Sequence, residues 1–192
     1  MEKFALTLQS KPAIEQYISE NHWMSYERQL MMEILSYIDK GDVEQLAWFA
    51  GFGNSYRQIL MNVNEYRKGL EFGFTTIAFN QYGWFASPKF LNYEEIEMEK
   101  SNIRIGRGPN GLWAYALSIN YGVAGSSAPL CVFCKKFPNR NTAMIAAFTE
   151  LKVAINSKIG STDRTNYHQD VLVKTLKAIT AAEIGLVQLT LF

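Results

Sequence analysis

The order of element signals along the chain predicts an α+β fold: an N-terminal helical bundle, a central antiparallel sheet, two C-terminal helices and an extended C-terminal tail. Two observations carry that expectation. Apolar residues recur at helical spacing through roughly the first 70 residues and again from about residue 141 onward. Between those stretches, aromatic and β-branched residues alternate with smaller ones around a Pro-Asn-Gly turn. Strand and helix signals do not alternate, so a doubly wound α/β fold is disfavoured. No internal repeat or low-complexity segment is present.

The elements follow in order. Ser10 is placed to cap a helix with Pro12 in its first turn, and Ile14, Tyr17 and Ile18 share a face. Ser25 caps a second helix whose inner face is Leu30, Met31, Ile34, Leu35 and Ile38; Gly41 ends it. Asp42 caps a third through Val43, Leu46, Ala47 and Ala50. A fourth runs from about Ser55 to Lys68 with Ile59, Leu60, Val63 and Tyr66 inward, and Gly69 stops it. Strand formers then cluster over Phe72–Phe79, followed by a loop from Asn80 to Pro88. Asn102–Ile105 reads as a short strand, Pro109-Asn110-Gly111 as a turn, and Leu112–Tyr121 as a half-buried strand. Gly122–Ser127 reads as a loop and Leu130–Phe137 as a further strand. Asn141 caps a helix through Ile155 with Met144, Ala147, Phe148 and Leu151 inward, and Gly160 follows it. The last helix spans about Asp163–Glu183, using Val171, Leu172, Leu176 and Ile179, and Gly185 is placed to end it. These expectations divide the chain into a helical region over 1–70, a region of sheet and helices over 71–184 that forms one compact unit with the first, and a tail over 185–192.

The 192 residues suffice for one domain with a substantial core or two small ones. Apolar residues make up 48% and charged residues 19%, an ordinary globular balance. No run is long and apolar enough to span a bilayer, and Met1-Glu2-Lys3-Phe4 does not open a signal peptide. Cys131 and Cys134 alone do not make a disulfide framework. These points predict a cytoplasmic protein. A net charge of +1 argues against the whole molecule being a strong polyanion binder.

Charge is nonetheless unevenly placed. Glu94, Glu95, Glu97 and Glu99 sit together, whereas no acidic residue occurs from Ser101 to Thr149. That acid-free stretch holds Arg104, Arg107, Lys135, Lys136 and Arg140 among aromatics. These five are candidate phosphate contacts, with Trp113 and Tyr115 as candidate stacking platforms for single-stranded nucleic acid. The alternative is that Trp113, Tyr115, Leu117 and Ile119 form one core-facing stripe. Five charges are few for tight binding. The glutamate group reads as a solvated face.

Other motifs carry less. Gly106-Arg107-Gly108-Pro109-Asn110-Gly111 fits the dinucleotide-binding spacing, yet a strand follows it where that site needs a helix N-terminus. The segment is hairpin chemistry. Cys131-Val132-Phe133-Cys134 lacks the second ligand pair of a structural zinc site. In a strand its thiols would point to opposite faces, one buried and one exposed. A metal or redox role is the alternative. With His22 and His168 the only histidines and no nucleophile elbow, no catalytic constellation is found. The expectation is a non-enzyme without a cofactor.

The tail offers the sharpest functional expectation. Gln188-Leu189-Thr190-Leu191-Phe192 resembles the peptide by which bacterial proteins dock on the DNA sliding clamp, whose pattern is Gln-Leu-Ser/Asp-Leu-Phe. Four of five positions match, Thr190 replaces one small polar residue with another, and such peptides often sit at a terminus. The resemblance covers the tail alone. It implies that Leu191 and Phe192 fill an apolar pocket, Gln188 hydrogen-bonds in a smaller one, and Leu189 packs along the groove. It also implies a role in DNA replication or repair. The block from Ile103 to Ile155 faintly resembles small accessory modules of plasmids and phages, which adds a mobile-element setting and an inhibitor of a host replication protein as alternatives. The simpler alternative makes the tail an edge strand of the protein's own sheet.

Overall fold

The computed structural model describes residues 5–20 and 22–189, with side chains described as far as Leu186. The fold is α+β: among the described residues there are six α-helices and one four-stranded antiparallel sheet. The chain divides into two compact units, Met1–Ser87 and Pro88–Phe192.

The first unit holds α1 (Lys11–Glu20), α2 (Ser25–Lys40), α3 (Val43–Ala50) and α4 (Tyr56–Leu70). Local chemistry sets three of their ends as the sequence implies, whereas Gly69 lies inside α4, which ends at Leu70 with Glu71 as its C-cap. Gly41 closes α2 at φ 67°, the Asp42 side chain accepts from the Gln45 N–H, and the Ser55 hydroxyl accepts from the Gln58 N–H. The core joins Ile14, Leu30, Met31, Ile34, Ile38, Leu46, Phe49, Ile59, Leu60 and Val63, all buried. Arg67 of α4 forks onto Glu33 of α2 at 2.7 and 2.8 Å and lies over the Trp48 and Phe49 rings.

The strand expected over Phe72–Phe79 does not form. Residues 71–87 belong with the helices, as an irregular segment whose one bridge joins Phe79 to Phe85. Its aromatics pack edge-on instead of along a sheet: Phe79 meets Phe52 at 6.0 Å and Phe85 at 6.1 Å. Its backbone finds partners on α4. The Asn62 amide, 1% exposed, donates to the carbonyls of Phe52 (2.6 Å) and Gly83 (2.8 Å) and accepts from the Phe85 N–H (2.9 Å). One turn earlier, Gln58 accepts from the Asn54 N–H and donates to the Tyr82 carbonyl. Two amides spaced i, i+4 thus hold the loop at Tyr82, Gly83 and Phe85 against α4.

The second unit holds β1 (Leu91–Met98), β2 (Ser101–Arg107), β3 (Trp113–Asn120), β4 (Gly125–Ser127), α5 (Arg140–Asn156) and α6 (Gln169–Leu189). The strands pair in sequence order. The glutamate-rich segment is β1, a half-buried strand: Ile96 and Met98 face the core while Glu95 and Glu97 alternate outward. Glu99, at φ 62°, turns the tight β1–β2 connection. Gly111, at φ 90°, turns the β2–β3 hairpin where Pro109-Asn110-Gly111 predicted it. One sheet face, with Ile103, Ile105, Tyr115 and Leu117, packs on Ala143, Met144, Ala147, Phe148, Leu151 and Ile155 of α5 and on Leu172 and Ile179 of α6.

Boundaries in the second unit also differ from the expected ones. Asn139, not Asn141, caps α5 by accepting from the Thr142 N–H. The α6 helix starts at Gln169, because Asp163 is engaged in a turn with Asn166. The glycine-serine loop contains β4, whereas Leu130–Phe137 is irregular around a turn at Val132–Phe133, with one bridge at Phe137, framed by Pro129 and Pro138. Gly185 does not end α6: the helix runs through it to Leu189 in place of an extended tail from Leu186, and Thr190, Leu191 and Phe192 lie outside the described residues.

Replacing Asn62 with alanine would leave three backbone groups without their partner. The expected loss of stability is at least about 2 kcal/mol, measured by urea unfolding with tryptophan fluorescence. A change below about 0.5 kcal/mol would show that the staple is dispensable.

Candidate functional site

The two faces of the sheet are built differently, and a cleft lies at the edge of β3. Gly106 pairs with Ala114 and Arg104 pairs with Ala116, so these four share the face away from α5. A Cβ added at Gly106 would lie 2.6 Å from the Phe90 Cβ and 3.0 Å from Leu130, which is why this position is glycine. With small residues at three of these four positions, the segment from Ala128 to Phe137 runs along the edge of β3. Val132 anchors it, fully buried.

The stretch from Ala128 to Phe137 touches β3 at two points. Trp113 exchanges both backbone bonds with Phe137 at 2.8 Å, and the Leu117 carbonyl accepts from the Ala128 N–H at 3.0 Å. Backbone direction alternates along a strand, so Tyr115, midway between, turns its N–H and C=O toward the same side. Between the two points lies a cleft of about 330 Å³, lined by Tyr115, Leu117, Ser127, Cys134, Lys135 and Glu150, among others. The Tyr115 hydroxyl donates to Glu150 on α5 at 2.5 Å. Burial, reinforced by that carboxylate, holds the Tyr115 phenol far above its ordinary range, so it stays a fixed donor at neutral pH. Neither histidine lines the cleft. Among the described residues, no three His, Cys, Asp or Glu side chains converge as a metal site would need.

The thiol pair is placed differently from the sequence expectation. Cys131 and Cys134 lie on a turn, not a strand, and both are half-buried. The Cys134 N–H donates to the Cys131 carbonyl at 3.0 Å, and the Cys134 sulfur lies 3.5 Å from the Cys131 nitrogen. Burial pushes the Cys134 thiol up.

The basic residues do not gather into one free patch. Arg104 donates to the Ala128 carbonyl (3.0 Å), to the Ser127 hydroxyl (3.3 Å) and weakly to Glu95 across the strand pair (3.4 Å). Arg140 forks onto Glu94 at 2.9 and 2.6 Å. Both acids come from β1, so the strand that precedes the acid-free stretch in sequence supplies its counter-charges in space. Arg107 is exposed at the end of β2, opposite Trp113. Lys135 is exposed on the cleft rim and Lys136 is half-buried. Trp113, Tyr115, Leu117 and Ile119 all pack with the core, so the aromatic stripe faces inward. Among the tail residues, the backbone of Gln188 and Leu189 is helical, and Leu191 and Phe192 are outside the described residues. The sequence reading missed the Tyr115–Glu150 pair and the slot on β3; the flanking prolines 129 and 138 were the available sign that Leu130–Phe137 leaves the sheet.

No protein-family model, curated protein or solved structure matches this chain.

The Glu94–Arg140 fork ties β1 to the start of α5 and has a pH signature. The guanidinium holds the Glu94 carboxyl below its ordinary value near 4.5. A carboxylate with a lowered folded pKa stabilises the fold above its ordinary pKa, and loses that contribution as pH falls through the folded value. Stability should therefore decline from pH 5 toward pH 3, and Glu94→Gln should flatten part of that decline. Thermal unfolding of both proteins across that range measures it; identical slopes would show that the pair is electrostatically silent.

Proposed function

We propose that this protein is a replication- or repair-associated accessory factor that docks on a bacterial DNA sliding clamp through Gln188–Phe192. The observation that carries the reading is the match of Gln188, Leu189, Leu191 and Phe192 to the clamp-docking pattern. The chemistry fits. Leu191 and Phe192 entering an apolar pocket would contribute roughly 3–6 kcal/mol before ordering costs. That suits an exchangeable, micromolar contact.

Docking in extended form requires the end of α6 to unwind, since alternate side chains must reach separate pockets. Gly185 supports that step. It sits in the helix with no neighbour within 4 Å of its missing Cβ, so it weakens the helix without a packing role. Glycine costs a helix about 1 kcal/mol relative to alanine.

A nucleic-acid-binding role has less support, because Arg104 and Arg140 already have protein partners. An inhibitor that occupies the clamp groove remains the second reading of the same peptide. Competition separates the two: an inhibitor slows clamp-dependent synthesis at stoichiometric levels, and an adaptor does not.

Binding to a purified bacterial clamp, measured by calorimetry, should be lost on replacing Gln188 and Phe192 with alanine while circular dichroism is unchanged. Gly185→Ala, which stiffens the helix, should weaken binding by up to about fivefold. Binding that survives the double replacement overturns the proposal.

A further inference from the structure

The Cys131–Cys134 turn is the part of the second unit that the proposed function does not use. Its geometry is that of a closed four-residue turn: the Cys134 N–H reaches the Cys131 carbonyl at 3.0 Å. Such a turn holds its end Cα atoms within about 7 Å, at the upper edge of the spacing a disulfide spans. The Cys134 sulfur already folds back over the turn, 3.5 Å from the Cys131 nitrogen. It accepts there from the Cys131 N–H and donates to the Pro129 carbonyl at 3.8 Å, so only the long hydrogen bonds of sulfur hold it over the turn. Val132 pins the turn from below, fully buried, while Phe133 is 53% exposed at the tip. Both cysteines are half-buried, not sealed in the core. A metal ion would need a third and fourth ligand, and among the described residues none converges. Two half-buried cysteines on one closed turn, with no third ligand among the described residues, are suited to bond to each other.

We propose that Cys131 and Cys134 form a reversible dithiol–disulfide site that exchanges with low-molecular-weight disulfides such as glutathione disulfide. One cysteine thiolate attacks the external disulfide, a protein–glutathione S–S bond forms, and the first glutathione leaves as thiolate. The second cysteine thiolate attacks the protein-side sulfur, the Cys131–Cys134 bond forms, and the second glutathione leaves. The two protein thiols lose two electrons and two protons, and the glutathione disulfide gains both to become two thiols. Because Cys134 lines the cleft beside Tyr115, the redox state alters that wall.

The test equilibrates the full chain with glutathione and glutathione disulfide, blocks free thiols with N-ethylmaleimide, and weighs the intact protein. The expected product is a monomer lacking two hydrogen atoms that takes no maleimide and returns to the dithiol with dithiothreitol. Cys131→Ser and Cys134→Ser should each stop at a single glutathione adduct. Circular dichroism verifies that all three proteins are folded. The fold's contribution is read against the chain in urea: the native equilibrium should favour the bond at least about tenfold more, because the turn raises the effective concentration of one thiol at the other. Equal constants, a persistent double adduct, an unchanged dithiol, or a disulfide- or zinc-bridged dimer as the product would each overturn the proposal.

Discussion

The second unit depends on the absence of side chains at one place. Gly106, Ala114 and Ala116 leave the outer face of β2 and β3 shallow enough for Phe90 and Leu130 to lie against it. A methyl group at Gly106 alone would collide with Phe90 at 2.6 Å, a distance that packed interiors do not tolerate. From that close approach the rest follows. The segment after β4 is drawn along the edge of β3, Val132 is buried, and the chain turns at Cys131–Cys134 before Phe137 rejoins Trp113. The cleft is the space left where this segment spans Tyr115 without pairing with it. The opposite face has the reverse design: large side chains interlock with α5 and α6.

Charge shows why position in sequence and position in space must be kept apart. The stretch from Ser101 to Thr149 lacks acids, and read alone it is a basic surface. An antiparallel hairpin reverses the chain, so the acidic β1 returns alongside it, with Glu95 facing Arg104 and Glu94 reaching Arg140. A forked guanidinium–carboxylate pair leaves little field at a distance. Within that stretch, Arg107 and Lys135 are the exposed cations that could attract a polyanion at long range. The same pairing joins the first strand of the sheet to the start of its principal helix, which makes it structural.

What was legible in the residues was mostly local. Gly41, Asp42 and Ser55 act where their own backbone and the next turn decide the outcome, and helix ends followed from them. The Pro109-Asn110-Gly111 hairpin was equally self-contained. Strand assignment failed where partners lay far off in sequence. Phe72–Phe79 has the composition of a strand, yet Asn62 and Gln58 meet part of the adjoining loop's hydrogen-bonding demand and its rings pack edge-on. Leu91–Met98 was hidden by its glutamates, although Ile96 and Met98 alternate with Glu95 and Glu97 as a half-buried strand must. The site was less legible than the fold. Nothing local to Tyr115 announces that Glu150, 35 residues on, will receive its hydroxyl.

The end of α6 brings both levels together. Val171, Leu172 and Ile179 fix the helix in the core, and Ala182 and Leu186 still pack against it in part. Beyond Leu186 the pattern of the residues suits an extended ligand, while the backbone continues as helix to Leu189. These demands need not conflict. The last turn of a helix has unpaired carbonyls and is the least costly part to unwind. Unwinding it forfeits little more than the local helix preference, already lowered by about 1 kcal/mol at Gly185. Pocket burial of a leucine and a phenylalanine exceeds that cost several-fold. On the proposed reading, the helical backbone at Gln188 and Leu189 is a resting form of the start of the peptide, and the anchoring residues before Gly185 keep the body folded while it unwinds.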